Sequence, residues 1–318
     1  MENLAALFPL SLFWARGQGL HPYLSIPALI FFGLLAGVVI GFFGGGGRFL
    51  IAPLLHGFFS IPYNVAIGSD VCQMTGISTL HMLRFKRLSS IDFKLGAWML
   101  IGTLAGVETG AQLLEGLKGL GSWVGWGITI RPLSLVLTGV YGIILFWIGA
   151  MVYREARGNQ CELPAEGLFM ANPPAMTARL QHIHLPPMVS LPVSGIEAIS
   201  LWVILGIGFI SGLLVGFLGG GGGFIRMPAL VYVVGCPMVV AIGTDLFESV
   251  FSMAYGTMSH TWKGNVDPLL AAIILVSGAL GTMAGGVLAR RFCDPKIRQF
   301  FAYLAFAVVI FLLVRMFI

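Results

Sequence analysis

Gly41-Phe42-Phe43-Gly44-Gly45-Gly46-Gly47 and Gly216-Phe217-Leu218-Gly219-Gly220-Gly221-Gly222 are two versions of one heptapeptide, set 175 positions apart. The same offset, without a gap, pairs Pro53 with Pro228, Pro62 with Pro237, Ala66-Ile67-Gly68 with Ala241-Ile242-Gly243 and Ser69-Asp70 with Thr244-Asp245. It goes on to pair Asp92 with Asp267, and Gly106 and Gly110 with Gly281 and Gly285. A register held from position 41 to position 110 marks an internal duplication.

The duplicated unit is apolar. Of 318 residues 57% are hydrophobic and only 10% charged, where a soluble domain carries about 25% charged residues. So few charges cannot cover a globule with a solvated surface. Apolar stretches near the length that crosses about 30 Å of hydrocarbon recur from Ile26 onward. In each half an apolar span (about 27–43; about 199–218) runs into the glycines. A short apolar piece follows (about 48–60; about 223–235), and then three longer spans: 65–83, 95–115 and 133–153, matched by 240–259, 268–288 and 299–317.

The expected fold is therefore an all-α integral membrane protein of two homologous halves, each a Gly-rich broken-helix hairpin plus three long spans. That makes eight long spans, and ten crossings if the short pieces cross. The chain divides into an N-terminal interfacial segment (1–26), transmembrane repeat 1 (27–153), a polar, Pro-rich linker (154–198) and transmembrane repeat 2 (199–318). Leu4 to Trp14 is apolar but lacks a basic flank and an Ala-x-Ala cleavage site, so it reads as an interfacial segment rather than a secretory signal.

Charge places the halves. Arg84, Lys86, Arg87 and Lys94 follow the third apolar piece of half one, where half two has only His260 and Lys263. The next loop reverses the balance: Lys118 and Arg131 in half one, Arg290, Arg291, Lys296 and Arg298 in half two. Basic loops favour the cytoplasm. If both clusters are cytoplasmic, the repeats are inverted, the short pieces after the glycines cross, the linker is cytoplasmic and both termini are outside. The alternative is a re-entrant piece and eight spans in parallel repeats.

Consecutive glycines inside an apolar segment leave backbone groups that only protein or a water-filled cavity can satisfy. Their N–H groups can form an anion nest, and paired broken helices at corresponding places point to a transporter's substrate site. The alternative is a tight turn or close helix packing. The candidate substrate-binding residues are Gly44, Gly45, Gly46, Gly47, Arg48, Gly219, Gly220, Gly221, Gly222, Arg226, Asn64, Gln73 and Thr244. Arg48 and Arg226 lie just beyond the glycines, and a guanidinium can fork onto a sulfonate or carboxylate. Ser69 or Thr244 is the candidate cap of the helix that starts there. Intramembrane acids are costly and often mark proton paths. Asp70, Asp245, Glu248 and Glu108 are the candidates for proton coupling, with Glu248 one helical turn after Asp245 and Gln112 one turn after Glu108.

Other chemistry is not indicated. Cys72, Cys161, Cys236 and Cys293 form no CxxC or Cys/His pattern, and His182 and His184 beside Cys161 fit no standard metal spacing. No nucleophile–base constellation and no phosphate-binding Gly-Lys-Ser/Thr motif occurs, so neither an enzyme nor a self-contained ATPase is expected, and no cofactor. The net charge of +5 sits in loops between spans and does not point to nucleic acid.

The doubled Gly-Phe-x-Gly-Gly-Gly-Gly run, the following Pro53 and Pro228, the Ala-Ile-Gly-Ser/Thr-Asp segments and Gly264-Asn265-Val266-Asp267 resemble the sulfite exporter TauE/SafE family. The resemblance covers nearly the whole chain from about residue 28, outside the linker. It implies a transporter of small sulfur-containing anions, such as sulfite or sulfonates like sulfoacetate, in a bacterial or archaeal inner membrane. Arg48, Asp245, Glu248 and the long linker mark a subgroup with another substrate as the alternative. Expected partners are a small anionic substrate, protons or another coupling ion, the lipid bilayer and, as a candidate assembly, a homodimer. A passive anion channel and a non-transporting assembly or sensor protein remain the alternatives.

Overall fold

The computed structural model describes residues 22–43, 49–85, 90–121, 123–125, 128–130, 132–157, 186–220, 222–291 and 295–317. Gly44 to Gly47, Arg48, Gly221, Lys86, Arg87, Arg131, Cys161, His182, His184, Cys293 and the apolar stretch from Leu4 to Trp14 lie outside the described residues.

Repeat 1 forms α1 (Pro22–Phe43), α2 (Ile51–Phe59), α3 (Tyr63–Arg84), α4 (Phe93–Gly119) and α5 (Pro132–Arg157). A two-stranded hairpin, β1 (Trp123–Gly125) with β2 (Ile128–Ile130), joins α4 to α5. Repeat 2 forms α6 (Leu201–Leu218), α7 (Gly222–Pro228), a π-helical stretch (Ala229–Val234), α8 (Met238–Trp262), α9 (Pro268–Arg291) and α10 (Pro295–Phe317).

Four stretches among the described residues are long and apolar enough to cross a membrane: Pro132–Arg154, Leu201–Leu218, Met238–Trp262 and Pro268–Leu288. The eight long spans expected from sequence do not all meet that standard. α1 and α10 contain the apolar stretches Ile26–Phe42 and Ala302–Val314 among the described residues. α3 carries Asn64, Ser69, Asp70, Gln73 and Ser78, and α4 carries Glu108, Glu115 and Lys118.

Equivalent helices start alike. Pro62 and Pro237 precede α3 and α8 in the same extended conformation, and each carbonyl accepts from the N–H four residues on, Ala66 and Ala241, at 2.9 Å. α4 begins at Asp92, whose carboxylate accepts from Leu95 N–H at 3.0 Å. Its equivalent, Asp267, accepts from Leu269 and Leu270 at the start of α9. Each aspartate caps a helix whose first N–H groups have no intrahelical partner.

The repeats pack by exchange. α1 lies along α9 and α6 lies along α4. Gly33, Gly37 and Gly41 of α1 face Ser277, Gly278 and Thr282 of α9, so the two run parallel. The equivalent Gly208, Gly212 and Gly216 of α6 face Met99, Thr103 and Val107 of α4 in the same way. A Cβ at Gly37 would overlap the Gly278 carbonyl, and one at Gly212 the Thr103 carbonyl. Where lipid tails are as apolar as leucine, such backbone approach, not hydrophobic transfer, holds helices together.

The directly equivalent helices run antiparallel. Asn64 at the start of α3 meets Asn265 just past the end of α8, while Phe85, just past α3, packs on Gly243 near the start of α8. α5 and α10 do the same, pairing Phe146 with Phe306 and Tyr153 with Tyr303. α3 and α9 instead run parallel, Ser69 beside Asp267 and Gly76 beside Leu275. Arg84 and Arg291, which close those two helices, therefore come to one end of the bundle.

The Pro-rich stretch read as a plain linker ends in structure. Residues 154–157 belong to α5, and β3 (Met188–Leu191) pairs antiparallel with β4 (Ile196–Ser200). Leu191, Ile196 and Ile199 are buried against Leu95, Met99, Leu230 and Val234. Ser194 Oγ donates to Asp92 at 2.7 Å and Lys94 Nζ to the Ser190 carbonyl at 2.8 Å. Repeated prolines hid the alternation of these apolar side chains. The hairpin and its smaller counterpart are short additions to a fold that is helical, as expected.

The glycine ladder makes a stability prediction. Gly212→Val should lower the stability of the purified protein by about 1–3 kcal/mol through overpacking. Gly206→Ala, at a face with open space, should change it by less than about 0.5 kcal/mol. Thermal unfolding in detergent reads both.

Candidate functional site

The second glycine run is a true helix break. α6 stops at Leu218, and Gly219 adopts φ +81°, a conformation that favours glycine. A side chain there would also press on Asp70 Oδ2. The broken end is closed by groups from elsewhere in the fold. Gly220 N–H donates to Asp70 Oδ2 at 3.0 Å. Tyr141 of α5 donates its hydroxyl to the Leu218 carbonyl at 2.5 Å, and His260 Nε2 lies 3.1 Å from the Gly216 carbonyl. Gln73, one turn after Asp70, donates to the other carboxylate oxygen at 2.9 Å. Asp70, Gln73 and Tyr141 are buried and come from repeat 1. The break in repeat 2 is thus completed largely by repeat 1.

Past the break, α7 carries Arg226, the largest fully buried side chain among the described residues. Its Nε donates to Asp245 Oδ1 at 2.6 Å and its Nη2 to Ser249 Oγ at 2.6 Å, and its Nη1 forms an ion pair with Glu248 Oε2. Asp245, Glu248 and Ser249 lie within little more than one turn of α8, so one helical face meets the guanidinium fork. Ser252 Oγ donates to Glu248 Oε2 at 3.4 Å. Among the described residues, Glu248 Oε1 is buried with no hydrogen-bond partner, and Arg226 Nη1 has its ion pair with Glu248 but no hydrogen bond.

The other candidates lie elsewhere. Thr244 Oγ1 accepts from Asp92 N–H at 3.1 Å, and its equivalent Ser69 accepts from Asp267 N–H at 3.0 Å. These two bonds are the same contact made once in each direction between the repeats. Neither hydroxyl caps its own helix, as the sequence reading had it, because α3 and α8 begin more than a turn earlier at Tyr63 and Met238. Asn64 donates to Asn265 at 2.9 Å. Glu108 is one third exposed and is held by Lys263 at 2.9 Å, Ser259 at 2.7 Å and Gln112 at 3.1 Å. Nearby, Glu115 pairs with Lys118 at 2.9 Å. Gly222 opens α7.

Sequence reasoning missed Tyr141 and the pairing of Arg226 with two acids. Tyr141 is a hydroxyl inside an apolar span, a visible cue. The Arg226 cluster joins residues about twenty positions apart on two helices, and only the turn at Gly235, with φ +85°, brings them face to face.

Buried charge along apolar helices, a broken helix and exchanged repeats define a multi-pass membrane protein of the transporter class. The family profile "Sulfite exporter TauE/SafE" matches residues 29–312, and the chain belongs to that family. It is 26% identical to the probable membrane transporter protein YunE of Bacillus subtilis, over 84% of this chain and 90% of that protein. It is 23% identical to the probable membrane transporter protein YjnA of the same organism, over 86% and 93%. A probable membrane transporter protein of Xylella fastidiosa is also 23% identical, over 89% and 93%. No solved structure matches the chain significantly. The family and these relatives are membrane transporters, not enzymes.

Removing one partner of a buried ion pair strands the other. Arg226→Met should therefore cost about 3–5 kcal/mol, by stranding two carboxylates. Adding Asp245→Asn and Glu248→Gln to that variant should restore most of the loss. Unfolding of the single and triple variants in detergent checks this.

Proposed function

We propose that the protein is a secondary transporter that moves a small sulfur-containing or organic oxyanion, such as sulfite or a sulfonate like sulfoacetate, across the bacterial or archaeal inner membrane, coupled to protons. The observation that carries this reading is the second helix break with Arg226 beyond it. Backbone N–H and a buried guanidinium stand within a few residues of each other, and both already hold carboxylate oxygens supplied by the chain. A carboxylate and a sulfonate offer the same kind of acceptor to such donors. Family membership and the relatives' printed names support transport.

The site we assign comprises Gly219 to Gly222 and Arg226, with Gln73, Asn64 and Thr244 around it. Gly44 to Gly47 and Arg48 form its counterpart in repeat 1. Among the acids, Asp245 and Glu248 at Arg226 carry the coupling better than Glu108, which Lys263 neutralises at a partly exposed position. Asp70 holds the break closed.

We infer that the repeats are inverted. Three observations support this: α3 runs antiparallel to its equivalent α8, α5 runs antiparallel to α10, and the ends of α3 and α9 that bear Arg84 and Arg291 share one end of the bundle. With those basic ends cytoplasmic, the linker is cytoplasmic too and the two broken helices enter from opposite faces. The partition into an N-terminal segment, two transmembrane repeats and a linker follows from the same reading.

Proteoliposomes holding the purified chain should take up sulfite or sulfoacetate with saturation, faster when an inward proton gradient is imposed. The double variant Gly45→Val, Gly220→Val should lose at least about ten times the rate, since a side chain at the break blocks the close backbone approach that glycine permits. Uptake that never saturates and ignores the proton gradient would instead describe a passive channel.

A further inference from the structure

Arg226 is shared between more negative charge than it carries. Its three nitrogens are taken by Asp245, Glu248 and Ser249, and the side chain is wholly buried. An arginine holds one positive charge at any physiological pH, and two ionised carboxylates would leave the cluster at a formal charge of minus one. Among the described residues no second cation pairs with either carboxylate.

The neighbouring elements do not change that count. α6 packs on α8 with no titratable side chain, and the π-helical stretch brings only Tyr232. α3 brings Asp70, engaged by Gly220 and Gln73, and Cys72. At the far end of α3 and α8, Tyr63 bonds Thr138 and His260 faces the Gly216 carbonyl; His81 and Arg84 close α3. α4 brings Asp92, held by Ser194 and Leu95, Lys94 on the Ser190 carbonyl, and Glu108, Glu115 and Lys118 in the separate network with Lys263. A buried cluster with excess negative charge accepts a proton readily once one of its ion pairs opens. Among the described residues, Glu248 Oε1 is the buried carboxylate oxygen of the cluster with no hydrogen-bond partner.

The geometry points to an exchange at Arg226. Glu248 takes a proton and releases the Nη1 edge of the guanidinium, and the incoming oxyanion occupies that edge. Asp245 and Ser249 keep the other nitrogens and hold the fork in place. The only bond made is O–H on Glu248, with the proton drawn from water on the open side, and the anion binds without covalent change. One anion therefore enters with one proton. The inference rests on the transport reading above and gives it a fixed stoichiometry and a single coupling residue. Because linkage is reciprocal, anion binding draws the proton and acid tightens the anion.

The test uses the full chain in lipid nanodiscs with sulfoacetate, whose charge is constant from weakly acid to weakly alkaline pH. Calorimetry in two buffers of different ionisation heat counts the protons taken up per anion. The wild type should take up one, and its affinity should fall about tenfold for each unit of pH rise. Glu248→Gln should take up none and bind with an affinity flat in pH. Arg226→Lys, which keeps the charge but loses the fork, should bind at least about tenfold more weakly. An infrared titration of the anion-free protein supplies a readout independent of any ligand: a protonated-carboxyl band that grows in as the pH is lowered and is missing in Glu248→Gln. If sulfoacetate binds but Glu248→Gln keeps the proton uptake, or the band is unchanged by that substitution, the exchange is overturned while the transport reading stands. If neither sulfoacetate nor sulfite binds the wild type at any pH, both fall.

Discussion

One hydrogen bond carries the logic of this fold: Gly220 N–H to Asp70 Oδ2, at 3.0 Å. In a bilayer core a backbone donor that leaves a helix has no water to turn to. The chain breaks α6 at Gly219, and a carboxylate from the other repeat receives the freed donor. The same demand explains why Tyr141 reaches the Leu218 carbonyl and His260 the Gly216 carbonyl. It also explains why the repeats interlock: α1 pairs with α9 and α6 with α4, and the bonds from Asp92 to Thr244 and from Asp267 to Ser69 cross between halves in both directions. Neither half satisfies its own backbone alone.

The Arg226 cluster follows from the break. α7 is short, and the turn at Gly235 folds it back onto α8, so the guanidinium faces Asp245, Glu248 and Ser249. A buried ion pair contributes little net stability against an apolar core of the same shape, and costs much if half of it is removed. Retaining three charges at such a place makes sense for a site that rearranges them. The Glu108–Lys263 pair, partly exposed and balanced, has no such imbalance.

Much of this was legible in the sequence, for physical reasons. Helix positions followed from runs of apolar residues, and the duplication from a fixed offset that glycines and prolines preserve because each sets a backbone conformation. The break at Gly219 was readable because only glycine suits it. The charge asymmetry around Arg84 and Arg291 anticipated that the two helix ends share a face. Partnership was not legible. Asp70 read as a candidate for proton coupling, and only the packing of α3 beside the end of α6 shows it closing the other repeat's break. Ser69 and Thr244 looked like caps because the start of each helix, set by Pro62 and Pro237, was placed late. The β3–β4 hairpin was hidden by the prolines around it. Long-range pairing depends on which faces meet, and a single sequence does not carry that information.

We propose two oppositely oriented repeats, with the helix break of repeat 2 closed by Asp70 and Tyr141 of repeat 1. The most direct measurement is the sidedness of single cysteines at positions 84, 291 and 264 in a chain whose four native cysteines have been replaced. A membrane-impermeant thiol reagent applied to intact cells and to inverted vesicles reads each one. The account predicts that positions 84 and 291 react only from the cytoplasmic side and position 264 only from outside. Reaction of positions 84 and 291 from opposite faces would contradict it.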